Sequence, residues 1–258
     1  KVFQIVVFGI VIGVTLGFIK PETEKGGHRF FEALYEIFQR IIYAISIALP
    51  LGIFCLMAGE VAKVGPETIL PMGSFIVKAY IIFTITFVLS IVIIKIRSHV
   101  SYVQVYNALK ESWYLAFGTR SSIIPIPAVI EGMVEKMKFS KDLVQLMVPL
   151  GNVMGRFGNM IYFAFVVIFT FELYRFSLSP QIVLMLIPMI VLAGIGTAGT
   201  NGVLTLAMLG IVLDMFQLPL GAIMSLLIAV DTLIEPGRTL LNVVFNSAAI
   251  SVICPKPK

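Results

Sequence analysis

The sequence predicts an all-α polytopic membrane protein in which a re-entrant helical hairpin followed by a transmembrane helix occurs twice, as an inverted repeat. Of its 258 residues, 59% are hydrophobic and only 13% charged, with a mean hydropathy of +1.01, far outside the range of soluble domains. Two apolar stretches, 101–135 and 179–214, are broken near their centres by small, polar or proline residues, leaving arms too short to cross a bilayer alone. The basic residues are lopsided as well. If the loop 20–29 is cytoplasmic and both broken stretches enter and leave on one side, eleven basic residues from Lys20 to Lys258 face the cytoplasm, against Lys63 and Arg175 opposite. The formal charge of +5 thus follows a multi-pass orientation in the cell membrane and does not call for a nucleic-acid partner.

Candidate spans run over 2–19, 30–62, 69–96, 142–172 and 218–253. Residues 29–40 open the second span with Glu32, Glu36 and Arg40 on one face, which suits the membrane surface. Its apolar half is interrupted at Pro50-Leu-Gly52, and Gly65-Pro66 with Pro71 mark a domain boundary. In the first hairpin, Gly118, Pro125 and Pro127 oppose a continuous helix, and Thr119, Arg120, Ser121 and Ser122 supply donors at the break. In the second, Gly194, Gly196, Gly199 and Gly202 let the backbone approach a ligand, or another helix, closely. Cys55 and Cys254 show neither a disulfide framework nor metal-ligand spacing. A start at Lys1 inside an apolar run, with no signal-peptide pattern, reads as a piece of a longer protein.

Charge inside the last span is the main functional signal. Asp231, Glu235, Arg238 and Asn242 step by 4, 3 and 4 and so share one helical face. Each ionised group at bilayer depth costs about 3 kcal/mol, so these three need partners. They form either a binding site or an internally neutralised packing motif. A second stripe, Asn152, Arg156 and Asn159, lies beside Gly151, Gly155 and Gly158, and Arg156 cannot face lipid. Hairpin and striped helix over 101–172, repeated over 179–253 from the opposite side, place a solute at the midplane between the hairpin tips. The rivals are a gated anion channel or non-transporting sensor built on the same basic core, or an inactive fragment. An intramembrane protease fits poorly, because both acids share a helix with an arginine and no nucleophile–base pair or zinc motif is present.

The chain resembles the glutamate transporter family, the dicarboxylate/amino acid:cation symporters. The resemblance rests on Leu49 to Ala58, Thr119-Arg-Ser-Ser122, Pro149-Leu-Gly151, Ile195-Gly-Thr-Ala-Gly199 and the run Asp231 to Asn242, in that order along nearly the whole chain. It implies that 1–65 is a partial scaffold, from the end of the fourth helix through the fifth, and that 66–258 is a transport core. It also implies a homotrimer whose cores move as elevators, carrying a small acidic solute such as glutamate, aspartate or a C4-dicarboxylate, with Na+ or H+ as coupling ion and no other cofactor. By the same resemblance Ser122, Asn159, Thr200, Val203, Leu204, Glu235, Arg238, Thr239 and Asn242 would touch the solute. Arg238 would take its distal carboxylate and Glu235 its amino group, with Arg120 as counter-ion of Glu235.

Sodium would fall to Gly151, Gly155, Asn242, Asn246, Gly194, Ile195 and Thr197. This chain departs from the family there. The family's Asn-Met-Asp-Gly-Thr reads Gly155-Arg-Phe-Gly-Asn159, and Asn246 stands where an aspartate is usual. Two acids are lost and one arginine gained, which weakens cation sites and predicts weak coupling or none. Arg156 is then expected to pair with Asp231, Glu235 or the anionic solute.

Overall fold

The computed structural model describes residues 11–18, 25–34 and scattered positions up to 62, then 72–175, 179–197, 203–215 and 220–254, without the side chains of 203, 204, 220–223, 225 and 226. The expected spans at 2–19 and 30–62, the boundary near 65–71 and the tip 198–202 lie wholly or largely outside the described residues. Among these residues the secondary structure is helical, with no strand. From the first long helix onward the elements are α1 (Gly73–Ser98), α2 (Tyr102–Thr119), α3 (Ile126–Glu131) continued by a π-turn (Gly132–Lys136), α4 (Lys141–Met154), α5 (Phe157–Leu173), α6 (Pro180–Gly196), α7 (Val203–Asp214) and α8 (Leu220–Ile253). By length and composition, α1 and the stretch Lys141–Leu173 are apolar enough to cross a membrane.

Both broken stretches are helix–break–helix units whose arms pack on each other. Each opens on a serine cap. Ser101 and Gln104 form a reciprocal box, Gln104 N–H donating to Ser101 Oγ at 3.3 Å and Ser101 N–H to Gln104 Oε1 at 2.9 Å. Ser179 caps α6 by accepting from Ile182 N–H at 3.4 Å, with Pro180 at a first-turn position that needs no donor. Ser101→Ala is expected to remove about 1 kcal/mol of stability, read as a lower thermal midpoint in detergent; an unchanged midpoint would refute the cap's contribution. Gly132 sets the closeness of the first pair of arms, because a Cβ there would stand 2.3 Å from the Ala108 carbonyl oxygen.

Helix α8 organises the rest and packs against α1, α2, α4, α5 and α7. At 34 residues and about 1.5 Å per residue it exceeds the ~30 Å hydrocarbon layer. The part from Leu227 to Leu241 enters one apolar core, where Leu227, Val230, Ile234 and Leu241 meet Phe75, Tyr162, Phe163 and Leu209 from α1, α5 and α7. The part from Val243 to Ile250 enters another, where Val243, Val244, Ala248 and Ile250 meet Leu109, Trp113, Met133 and Val148 from α2, the π-turn and α4. The polar residues between Asp231 and Asn246 therefore sit at the seam of two apolar cores. Pro236 lies inside α8 and has no N–H for the Thr232 carbonyl. The next carbonyl, of Leu233, accepts from the Tyr80 hydroxyl at 2.6 Å, tying α1 to this point.

One expectation needs correction. Residues 142–172 do not form a single helix: α4 ends at Met154, and Gly155 (φ −87°, ψ 68°) and Arg156 (φ −82°, ψ 48°) separate it from α5. No proline sits at the break. Two of its peptide groups, Gly158 N–H and the Gly155 carbonyl, are taken by side chains of α8, which helps make a break inside the apolar core tolerable.

Candidate functional site

Two asparagines of α8 secure the break. Asn242 Oδ1 accepts from Gly158 N–H at 2.8 Å and so serves the donor-rich start of α5. Asn246 Nδ2 donates to the Gly155 carbonyl at 2.8 Å. Gly155 and Gly158 are required by closeness: a Cβ at Gly155 would lie 2.1 Å from Asn246 Oδ1, and one at Gly158 would lie 2.1 Å from the Arg238 carbonyl. The break also connects to both helix–break–helix units. Asn152 Nδ2 donates to the Ser122 carbonyl, and Arg156 Nη1 donates to Ser122 Oγ at 3.0 Å. Asn159 Nδ2 donates to Thr197 Oγ1 at 2.6 Å, and that hydroxyl donates to the Gly194 carbonyl at 2.6 Å.

Five charges meet here. Arg238, 2% exposed, pairs through Nη1 with Asp231 Oδ1 at 3.0 Å, and its guanidinium carbon lies 4.9 Å from the centre of the Tyr162 ring. Within one helix, residues seven apart are nearly eclipsed and two turns distant, so an extended arginine reaches back to the carboxylate. Arg120 closes α2 in the left-handed region (φ 53°), a conformation that costs a non-glycine residue about 1–2 kcal/mol, and its Nη1 lies 3.9 Å from Glu235 Oε2. Arg156 is 6% exposed and makes its hydrogen bond to Ser122 rather than to Asp231 or Glu235. Arg120 Nη2, Arg156 Nε, the Tyr162 hydroxyl and Thr232 Oγ1, all buried at or beside this cluster, have no hydrogen-bond partner.

The structure therefore joins Ser122, Asn159, Glu235, Arg238, Asn242, Arg120, Arg156 and Asp231 through α8 and its neighbours. Thr239 is buried on the same helix. Thr200 lies outside the described residues, as do the side chains of Val203 and Leu204. Arg238, expected from the resemblance to await a solute carboxylate, is held by Asp231, so the stripe is partly neutralised from within. Of the residues named for sodium, the Gly155 and Gly194 carbonyls and Asn242 Oδ1 all accept protein hydrogen bonds. Gly151 lies against Asn246, and Ile195 is partly exposed. Sequence reasoning did not foresee Tyr80 and Tyr162, whose spacing in apolar helices marks them only as core.

Among the described residues the fold is helical, and ion-paired charges lie buried at the seam of two apolar cores beside broken helices, the architecture of a helical membrane protein. Residues 1–255 match the family described as the sodium:dicarboxylate symporter family, and the chain belongs to it. It is 32% identical over 245 residues to the L-cystine uptake protein of Bacillus thuringiensis (strain Al Hakam), covering 93% of this chain and 52% of that one. The C4-dicarboxylate transport protein of Bacillus subtilis (strain 168) is 27% identical over 253 residues, 98% of this chain and 59% of its own length. The proton/sodium-glutamate symport protein of Geobacillus stearothermophilus is 27% identical over 254 residues, 96% and 58% respectively. The chain thus spans somewhat over half the length of these relatives.

Proposed function

We propose that this chain forms the solute-binding part of a secondary transporter for a small molecule bearing two carboxylates: glutamate, aspartate, a C4-dicarboxylate or cystine. The observation that carries the reading is the seam of three guanidiniums against two carboxylates, with unpartnered polar atoms on Arg120 and Arg156. Guanidinium groups suit planar carboxylates, and they are retained at bilayer depth where they have anionic company. The names of all three relatives fit this chemistry, since cystine, glutamate and the C4-dicarboxylates each carry two carboxylates. Glu235 adds a place for an amino group, which favours an amino acid over a plain dicarboxylate.

In this reading α2–α3 and α6–α7 are re-entrant hairpins of an inverted repeat whose tips cover the solute, with Ser122, Asn159, Thr200, Val203, Leu204, Thr239 and Asn242 in reach of it. Residues 66–258 move as a transport core against a scaffold that includes 1–65, within a homotrimer in the cell membrane. The test is exchange of labelled L-glutamate, succinate and L-cystine by the purified protein in liposomes. Unlabelled solutes with two carboxylates are expected to compete, and L-alanine or propionate to compete weakly. Equal competition by the monocarboxylates would end the reading, and current without exchange would favour a channel.

A further inference from the structure

Arg156 is left without an anionic partner among the described residues. It is buried, its Nη1 is satisfied only by the neutral Ser122 hydroxyl, and its Nε has no partner. The two acids of the seam are engaged elsewhere, Asp231 by Arg238 and Glu235 by Arg120. A guanidinium does not escape this cost by losing its proton, unlike a buried lysine or carboxylic acid. Among the described residues the seam therefore holds one fixed positive charge in excess.

The same neighbourhood suits sodium poorly. A cavity of about 10 Å³, close to the volume one water needs, shares Ser122 with Arg156, and its polar lining of Ser122, Asn152, Asn246 and Ser247 offers only neutral oxygens. The Asn246 amide nitrogen is committed to the Gly155 carbonyl, and that of Asn152 to the Ser122 carbonyl. Hard cations favour anionic oxygens. Here no carboxylate lines the cavity, and a guanidinium nitrogen stands 3.0 Å from one of its hydroxyls. At this cavity the donor set does not fit the sodium of the family's description.

We propose that Arg156 is a built-in cation: it receives a solute carboxylate and supplies the positive charge that a co-transported sodium would otherwise bring, so that solute binding does not require sodium. The inference rests on the transport reading above and adds to it the source of charge compensation. Nη1 stays on Ser122 of the first helix–break–helix unit while the unpartnered Nε edge is left for the solute, so loading would also fix that unit against the α4–α5 break.

Equilibrium binding of L-glutamate, L-aspartate, succinate and L-cystine to the purified protein, in sodium chloride and in choline chloride, tests it. At least one solute is expected to bind with dissociation constants agreeing within about threefold between the two salts. Arg156→Met is expected to weaken that binding on the order of 30-fold or more in choline, with Arg156→Lys recovering part of it. Binding that appears only with sodium would overturn the proposal and leave the transport reading standing. So would an Arg156→Met protein that binds in choline as tightly as its parent. If none of the four solutes binds in either salt, the transport reading itself fails, and this inference with it. Should Arg156→Met fail to fold, as judged by size-exclusion chromatography, the salt comparison on the parent protein still decides.

Discussion

Arg238→Ala is expected to destabilise the protein by about 3–5 kcal/mol, because it strands a buried carboxylate between two apolar cores. Asp231 is 5% exposed and has Arg238 as its ion-pair partner at 3.0 Å. Without the guanidinium the buried carboxylate loses its ion-pair partner, which is costly between apolar cores. The stacking on Tyr162, 4.9 Å from the guanidinium carbon, goes as well. Part of the expected loss is therefore packing, since an arginine stem covers apolar surface. The decisive comparison is a double-mutant cycle with Asp231→Leu and Arg238→Met. Replacing both ends by apolar side chains should cost less than the sum of the single changes, with a coupling of about 1–3 kcal/mol. Additive losses in detergent unfolding would show that the two residues stabilise the helix independently.

Gly158→Ala should damage the same region through the backbone, by about 1–3 kcal/mol or somewhat more. The added methyl would stand 2.1 Å from the Arg238 carbonyl oxygen, 2.9 Å from Asn242 N and 3.0 Å from Leu241 Cβ. Two of those three atoms belong to the backbone of α8 and cannot swing aside as a flexible side chain would. Helix α5 must retreat, stretching the 2.8 Å hydrogen bond from Gly158 N–H to Asn242 Oδ1. Gly73→Ala is the matched control, since nothing lies within 4 Å of a Cβ there, and alanine is the better helix former by about 1 kcal/mol. Equal thermal midpoints for the two alanine variants would refute the close-contact account.

Much of this arrangement is legible from spacing. The limits of the two broken stretches, 101–135 and 179–214, fall close to the helix pairs bounded by Ser101 and Lys136 and by Ser179 and Asp214. Serine caps and centrally placed glycines and prolines are local signals, so the sequence carries them directly. The step of 4, 3 and 4 along α8 likewise marks one face. The pairing on that face is less visible. Attention to i+3 and i+4 neighbours overlooks a bond seven residues long, from Arg238 back to Asp231. The break at Gly155-Arg156 is hidden for a different reason. Its glycines read equally well as close-packing residues in an unbroken helix, and what opens the helix is a pair of amides located some ninety positions later in the chain.

Those amides also bear on how the region can move. Asn242 grips the beginning of α5 and Asn246 grips the end of α4, and the two residues lie one turn apart on the rigid shaft of α8. In hydrocarbon no water waits to replace either bond. The gap between α4 and α5 therefore behaves as a clamped joint, with α8 as the clamp. A displacement of α8 along its own axis is expected to carry both flanking helices with it, and any bending is expected outside this three-helix block.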